Sequence, residues 1–388
     1  MREVFPQLRR LLAAGEPCAV ATVFRTEGSA PRPAGASLVV TGDGAVVGSV
    51  SGGCVESAVY ELCRQALEDG RARTERFGAD DDPFAVALTC GGTLDVLVRV
   101  VTGAADDPLR RAVRAEADGR AVVVATVVGP AGSALLGRGL VVGGAGAEGT
   151  TGDADLDDAV VRGAGEVLGA GDDARVLRLG AAGPRGGAVE VLVEPVAPPP
   201  RMLLFGAVEP VAALTRLGRF LGYRVTVCDA RAVFATPERF PDADEVVVRW
   251  PVEYLRTTAV DERTVVCVLT HDERFDVPLL EEALRGPAGY VGALGSRRTH
   301  RERVDRLLAR GVSPVQLGRL FGPVGLDLGA RSPEETAVSI VAELIAHRNG
   351  GSGAPLRSTD GPIHRSGQRG GRPAAVGAHP RPAVGCGR

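Results

Sequence analysis

The sequence predicts an α/β protein: an N-terminal α+β domain with a diverged internal repeat, followed by a Rossmann-like, doubly wound parallel-sheet domain. Three observations predict it. Between residues 201 and 348, short apolar strands alternate with helical stretches, the pattern of a parallel sheet. Before them, residues 17–101 and 119–196 run through two similar series of strands, helix and strand. Between the two regions stands "APPP" (Ala197 to Pro200), a stiff stretch that suits a domain boundary. The expected domains are therefore 1–197, a proline linker at 198–200, and 201–348, with a tail at 349–388.

The elements follow in order. Val4, Leu8, Leu11 and Leu12 share one face of a short helix within residues 1–16. "CAVATVF", "SLVVTG" and "AVVGSV" read as strands. In "SVSGGCVESAVYELCRQAL" (Ser49 to Leu67), Val55, Ala58, Val59, Leu62, Cys63, Ala66 and Leu67 recur at helical steps. Ser51 is the expected N-cap and Gly70 the stop. "TLDVLVRV" returns as a strand. In the second series, "VVATVVGPAGSALLGRGLVV", "DDAVVRGAGEVLGAG" and "GAVEVLVEPV" echo the first. "RMLLFG", "YRVTVCDA", "DEVVV", "RTVVCVLT" and "GYVGAL" are the strands of the last domain. Its final helix, "RSPEETAVSIVAELIAHR", opens with Ser332 as cap, Pro333 in the first turn and Glu335 closing a capping box. Beyond Asn349, Gly, Pro, Ser and Arg dominate and apolar clusters are scarce, so the tail is expected to be disordered.

Composition narrows the chemistry. The 388 residues carry a net charge of −3, which exerts no general pull toward nucleic acid or membrane. All 45 basic residues are Arg; the chain has no Lys. That excludes a Schiff-base lysine and a Walker A lysine. The 7 cysteines, at 18, 54, 63, 90, 228, 267 and 386, form no Cys-x-x-Cys pair. There is neither a signal-peptide pattern nor an apolar run of membrane length, so a cytoplasmic protein with reduced thiols is expected.

Two regions carry candidate chemistry. In the first, Cys54 is expected in the first turn of a helix, where the dipole favours a thiolate. Gly52 and Gly53 leave backbone N–H groups bare for an anion. The repeat serves as an internal control. The second copy retains apolar positions and glycines, but "GSAPRPAG", "SGGCVE" and "LTCGG" become "GSALLGRG", "TGDADLD" and "GPRGG". Arg32, the Gly-Gly-Cys and Cys90 thus have no counterpart, which points to a site in the first copy. In the second region, Gly206 and Asp229, 23 residues apart, sit where a dinucleotide fingerprint would place them. The intervening "GAVEPVAAL" lacks the second glycine, and Glu209 adds negative charge, so NAD(P) is disfavoured. His271 and Asp272 follow one strand; Ser296, Arg297 and Arg298 open the helix after another, where a phosphate can be held.

Together these residues resemble the XdhC/CoxI family, the xanthine dehydrogenase accessory factors. The resemblance is carried by "TEGSAPRPAGASLVV", "GSVSGGCVE", "LTCGG", "FATPERFPDADEVV", "LTHDERFDVPLLEEAL", "GYVGALGSRRTH" and "GPVGLDLGARSPEETAVSI", spanning Ala19 to Arg348. Val208 and Glu209 depart from it, where family members often carry Gly and His. The resemblance implies a cofactor-binding chaperone rather than a catalyst. It would bind the molybdenum cofactor transiently, support its sulfuration and pass it to a molybdenum hydroxylase apoenzyme of the xanthine or CO dehydrogenase type. Expected partners are that apoenzyme and a NifS-like cysteine desulfurase, with a homodimer as a further expectation. The cofactor-binding residues implied are Arg32, Ser51, Gly52, Gly53, Cys54, Glu56, Cys90, Gly91 and Gly92 in the first region. In the second they are Asp229, His271, Asp272, Ser296, Arg297 and Arg298. Cys54 and Cys90 are the candidate ligands of the cofactor's molybdenum. Both sets are expected to face one cleft. The competing readings are an NAD(P)-dependent oxidoreductase and a docking protein without a cofactor site.

Overall fold

The computed structural model describes residues 1–28, 30–78, 88, 91–104, 107–170, 174–180, 188–270 and 272–360. Cys90, His271 and the tail beyond residue 360 lie outside the described residues. The described residues divide into two compact units, Met1–Pro198 and 199–360.

The first unit runs α1 (Phe5–Ala14), β1 (Cys18–Glu27), β2 (Ser37–Thr41), β3 (Val46–Gly48), α2 (Glu56–Asp69), β4 (Arg73–Gly78), β5 (Thr93–Val101) and α3 (Pro108–Ala117). It continues with β6 (Val122–Gly129), β7 (Gly139–Gly143), β8 (Gly146–Thr150), α4 (Ala154–Ala170), β9 (Arg175–Gly180) and β10 (Ala188–Val196). Two five-stranded sheets result, in the orders β3-β2-β1-β5-β4 and β8-β7-β6-β10-β9. Every pairing is antiparallel, and the two orders are the same element for element.

Strand periodicity explains the layers. Along β1, Ala19, Ala21 and Val23 face the core under α2, whereas Cys18 and Val20 face the opposite way. Along β6, Val123, Ala125 and Val127 pack under α4, and Val122 and Val124 face away from it. The two inward faces share one core, filled by Leu8 and Leu11 of α1 and by Leu109 and Val113 of α3. Both central strands are buried on both faces, so their sequences read as nearly unbroken apolar runs. Charged groups lie inside this layer too: Glu194 of β10 is 4% exposed and Arg99 of β5 7%. Burial pushes the Glu194 carboxyl up to about 7, against the opposing pull of the N-terminal ammonium and Arg99. Its Oε1 has no hydrogen-bond partner among the described residues.

The second unit runs β11 (Arg201–Phe205), α5 (Glu209–Phe220), β12 (Arg224–Asp229), β13 (Glu245–Val248), α6 (Pro251–Thr257), β14 (Val265–Val268) and α7 (Glu273–Arg285). β15 (Tyr290–Ala293), α8 (Arg297–Ala309), α9 (Pro314–Leu317), β16 (Leu320–Phe321) and α10 (Pro333–Asn349) complete it. All pairings are parallel, in the order β13-β12-β11-β14-β15-β16. This is the order of a dinucleotide-binding Rossmann sheet, with its switch point between β11 and β14. α5 and α10 cover one face; α6, α7 and α8 cover the other. The expected α/β class holds, an α+β unit followed by a parallel doubly wound one.

Three details differ from expectation. α2 begins at Glu56, and its N-cap residue is Val55 rather than Ser51. Cys54 therefore precedes the helix and does not lie in its first turn. β4 ("RTERFG") and β9 ("RVLRLG") are edge strands whose polar alternation hides them in the sequence. α3 is a full helix that a short arginine-rich stretch does not announce. After α10, residues 350–360 form an exposed segment with a 3-10 turn at Leu356–Ser358.

Candidate functional site

The loop between β3 and α2 is organised around one carboxylate. Glu56 Oε1 accepts the Ser49 hydroxyl at 2.6 Å, Ser51 N–H at 2.9 Å and Val50 N–H at 3.2 Å. Its Oε2 accepts Gly53 N–H at 2.7 Å and the Ser51 hydroxyl. Ser49 Oγ takes Gly52 N–H at 2.9 Å, and Ser51 Oγ takes Val55 N–H at 3.0 Å. Burial works against the ionised form, but the two serine hydroxyls and the Ser51 N–H prevail and pull the Glu56 carboxyl down to about 2. Gly52 and Gly53 adopt φ of 74° and 121°, so the loop turns through consecutive left-handed residues. An added Cβ would meet nothing within 4 Å at either, so both glycines serve backbone conformation and leave open space above the loop.

This arrangement corrects two expectations. The N–H groups of Gly52 and Gly53 are not a vacant anion cradle: Ser49 and Glu56 already occupy them. Ser51 and Glu56 also do not belong to a polar set confined to the first repeat. In the second, Asp157 accepts the hydroxyls of Thr150 and Thr151, each at 2.6 Å, and Thr151 N–H at 2.7 Å. The hydroxyl-and-acid scheme is common to both halves. What distinguishes the first is the Gly53–Cys54 pair held above it.

Cys54 is half-buried and packs against the core under α2. Cys18, Cys63, Cys228 and Cys267 are buried. Burial pushes the Cys18 thiol up to about 11 and those of Cys63, Cys228 and Cys267 to about 12. Among the described residues, Cys54 is thus the one thiol with solvent access. Gly91 and Gly92 lie at the start of β5, where Gly92 Cα would be 3.3 Å from a Cβ on Gly28 and Gly92 O 2.5 Å from one on Gly78. They permit a close approach of three chain segments. Leu88 belongs to the core against which Cys54 packs. Arg32 forms an ion pair with Glu3, and its Nε is buried without a partner among the described residues. No group of three or more His, Cys, Asp or Glu placed to hold a metal ion occurs among the described residues.

In the parallel unit, the polar residues gather at the carboxyl ends of β12 and β14. Asp229 is buried and accepts Ala207 N–H at 2.8 Å, while Arg231 donates to both of its oxygens at 2.8–2.9 Å. Burial raises its carboxyl, but Arg231 and the N–H groups of Ala207 and Arg231 outweigh it, and the net shift is downward. Asp272 caps α7 through Arg274 N–H, and Arg274 and Arg231 both favour its ionised form. Arg231 therefore lies between two carboxylates. A Cβ on Gly206 would lie 2.7 Å from Thr270 Cγ2, so that glycine serves close packing at the switch point. Glu209 begins α5 and adds a negative charge to the helix end that binds the pyrophosphate in dinucleotide-binding sheets. Ser296 caps α8 through Thr299 N–H, Arg298 pairs with Glu302 at 2.8 Å, and the exposed Arg297 has no ion pair among the described residues.

Sequence reasoning missed the groups beneath this edge. Asp276 and Arg303 are 0% and 2% exposed and form an ion pair. Thr270 Oγ donates to Asp276, and Arg303 Nη1 donates to Leu294 O at 2.5 Å. The signal was present: each is a charge among the apolar positions of its helix.

Fold and site define a two-unit protein in which a Rossmann-type sheet lacking a glycine phosphate loop accompanies a unit that presents one accessible thiol among its described residues. Residues 202–344 match the XdhC Rossmann domain, and residues 11–78 match the XdhC and CoxI family. The chain belongs to the XdhC and CoxI family. A protein of Bacillus subtilis (strain 168), named as a probable subunit of xanthine dehydrogenase, is 28% identical over 345 residues, covering 88% of this chain and 96% of that protein. "Molybdenum cofactor insertion chaperone PaoD" of Escherichia coli (strain K12) is 25% identical over 346 residues, covering 87% and 85%. A crystal structure described as a xanthine dehydrogenase from Bacillus halodurans is 26% identical with a TM-score of 0.67, covering 88% of this chain and 94% of that one. No helix among the described residues is long and apolar enough to cross a membrane.

Proposed function

We propose that the protein is a maturation factor that binds the molybdenum cofactor transiently and supports its sulfuration and insertion into a molybdenum hydroxylase. The observation that carries this reading is Cys54, the accessible thiol among the described cysteines, fixed above a loop that Glu56 makes rigid. The residues present fit such a group. A soft thiolate suits a thiophilic metal, and the bare Gly52–Gly53 surface admits a bulky ligand. A metal held through Cys54 would bring its remaining ligands with the cofactor. The cofactor itself would supply a dithiolene-bound molybdenum centre. The protein's part is to hold it, and Cys90 is the second proposed thiol.

The role of the relative named an insertion chaperone supports the same reading. A cysteine desulfurase and the client apoenzyme are the proposed partners, and the cytoplasm the proposed compartment. The alternative, an NAD(P)-dependent oxidoreductase, draws on the strand order of the parallel unit. Against it stand Glu209 at the start of α5 and the hold of Arg231 on Asp229. Titration with NADH separates the two: tight binding with turnover would favour the oxidoreductase. Incubation with isolated molybdenum cofactor, followed by desalting and joint assay of metal and pterin, tests the maturation reading.

A further inference from the structure

The second repeat carries a hollow that the Cys54 reading does not use. It lies between α3 and the β7–β8 hairpin and has a volume of about 770 Å³, within the ~300–1,000 Å³ range of small-molecule sites. Arg110, Arg111, Arg114 and Arg120 line it, against two acids among the described residues, Asp118 and Glu148. On α3, Arg110 and Arg114 are four residues apart and Arg111 and Arg114 three, so the guanidinium groups share one helix face. Such crowding of like charges destabilises a helix unless something offsets it. The acids offset only part. Arg120 pairs with Asp118 at 3.1 Å, Arg111 stands 3.8 Å from Glu148, and Arg110 Nη1 donates to Gly103 O, which carries no full charge. The guanidinium of Arg114 has no hydrogen bond or ion pair among the described residues, and Arg114 is exposed. Opposite, a Cβ added to Gly144 or Gly146 would meet nothing within 4 Å, so the hairpin leaves room beside the cations.

The first repeat shows that packing does not demand this charge. α1 and α3 are each followed by a left-handed glycine, Gly15 at φ 71° and Gly119 at φ 73°. The next strands align likewise, Ala19 opposite Val40 and Val123 opposite Val142. In that register, Arg110, Arg111 and Arg120 correspond to Pro6, Gln7 and Glu16, and only Arg114 has an arginine counterpart, Arg10. Three arginines are particular to the second repeat and converge on one hollow.

We propose that this hollow binds a phosphate-bearing small anion of nucleotide size. Guanidinium forks match phosphate oxygens in pairs, and several forks around one cavity suit a di- or polyphosphate better than a single carboxylate. The site is independent of Cys54, and its failure would leave the maturation reading untouched.

The test is calorimetric titration of the full-length protein with inorganic pyrophosphate at low and high salt. Wild type is expected to bind, more weakly as salt rises. Arg114→Gln/Arg120→Gln and Arg114→Glu/Arg120→Glu are expected to lose at least tenfold in affinity, the second pair more. Their melting temperatures are expected to stay within a few degrees of wild type, because both side chains are exposed and an exposed ion pair such as Arg120–Asp118 contributes little. Competition with ADP and with a phosphorylated pterin then distinguishes the source of the phosphate, and displacement by either supports the site. No binding by wild type, equal affinity in the variants, or binding of a polyglutamate peptide without binding of pyrophosphate would overturn it, the last in favour of an acidic protein segment.

Discussion

Gly53 donates its backbone N–H to Glu56 Oε2 at 2.7 Å, and this bond places Cys54 one residue beyond a half-buried carboxylate rather than on a helix end. The loop that reads in sequence as an empty anion cradle is already holding an anion, its own. Glu56→Gln is expected to destabilise the protein by about 1–3 kcal/mol, because several donors lose a carboxylate acceptor and one amide N–H₂ faces them. The sign with pH follows from the lowered carboxyl. The Glu56 contribution is present above the ordinary value of 4.5 and is lost as pH falls toward about 2. Urea melts of wild type and variant are therefore expected to differ at pH 7 and converge in acid. Equal stability at pH 7 would contradict the arrangement.

Glu194 runs the other way. The unfolded chain releases its proton near 4.5, whereas the folded chain retains it to about 7. Stability contributed through this group therefore falls as pH rises from 4.5 to 7 and is level above that. At ~1.4 kcal/mol per pH unit of the window, the loss is about 3 kcal/mol. Glu194→Gln is expected to be more stable than wild type at pH 8 and no more stable at pH 4.5. Chemical denaturation at the two values checks this, and a variant weaker than wild type at pH 8 would contradict it.

Asp276→Ala leaves the guanidinium of Arg303 buried without its carboxylate. The expected loss is about 3–5 kcal/mol, the usual result of breaking a buried pair on one side. Asp276→Ala/Arg303→Met is expected to recover part of it. A single variant as stable as wild type would show that the pair is not closed to water.

Accessibility of the thiols is directly measurable. Brief native treatment with iodoacetamide followed by peptide mapping is expected to label Cys54 and to spare Cys18, Cys63, Cys228 and Cys267. Denaturation first should expose all of them. Labelling of any of the buried four at the rate of Cys54 would contradict the packing.

Much of the fold was legible because its signals are local. The strand runs "LLF", "VVCV" and "YVGA" and the capping box of Ser332 and Glu335 recur in the structure where the sequence places them. The polar edge strands β4 and β9 were not legible, since one side of an edge strand faces water and its pattern resembles a loop. Ser51 misled for a physical reason. A serine before a helix reads as a cap, but here its hydroxyl donates to Glu56 and accepts from Val55, a contact set by the fold of the loop. The Asp229–Arg231 clamp needed no long-range information, only the observation that an arginine two residues on can satisfy a strand-end aspartate. The partner of Arg32 was beyond reach, because Glu3 comes to it through tertiary folding.

The central claim is that the Cys54 loop holds the molybdenum cofactor, and cofactor retention tests it most directly. Wild type, Cys54→Ala and Cys54→Ser are each incubated anaerobically with isolated molybdenum cofactor and desalted. Molybdenum and pterin are then measured together, with thermal melts to verify folding. The account predicts equal amounts of both in wild type. It predicts at least a tenfold loss in both variants, at melting temperatures within a few degrees of wild type. Full retention by folded Cys54→Ala, or no retention by wild type, would contradict it.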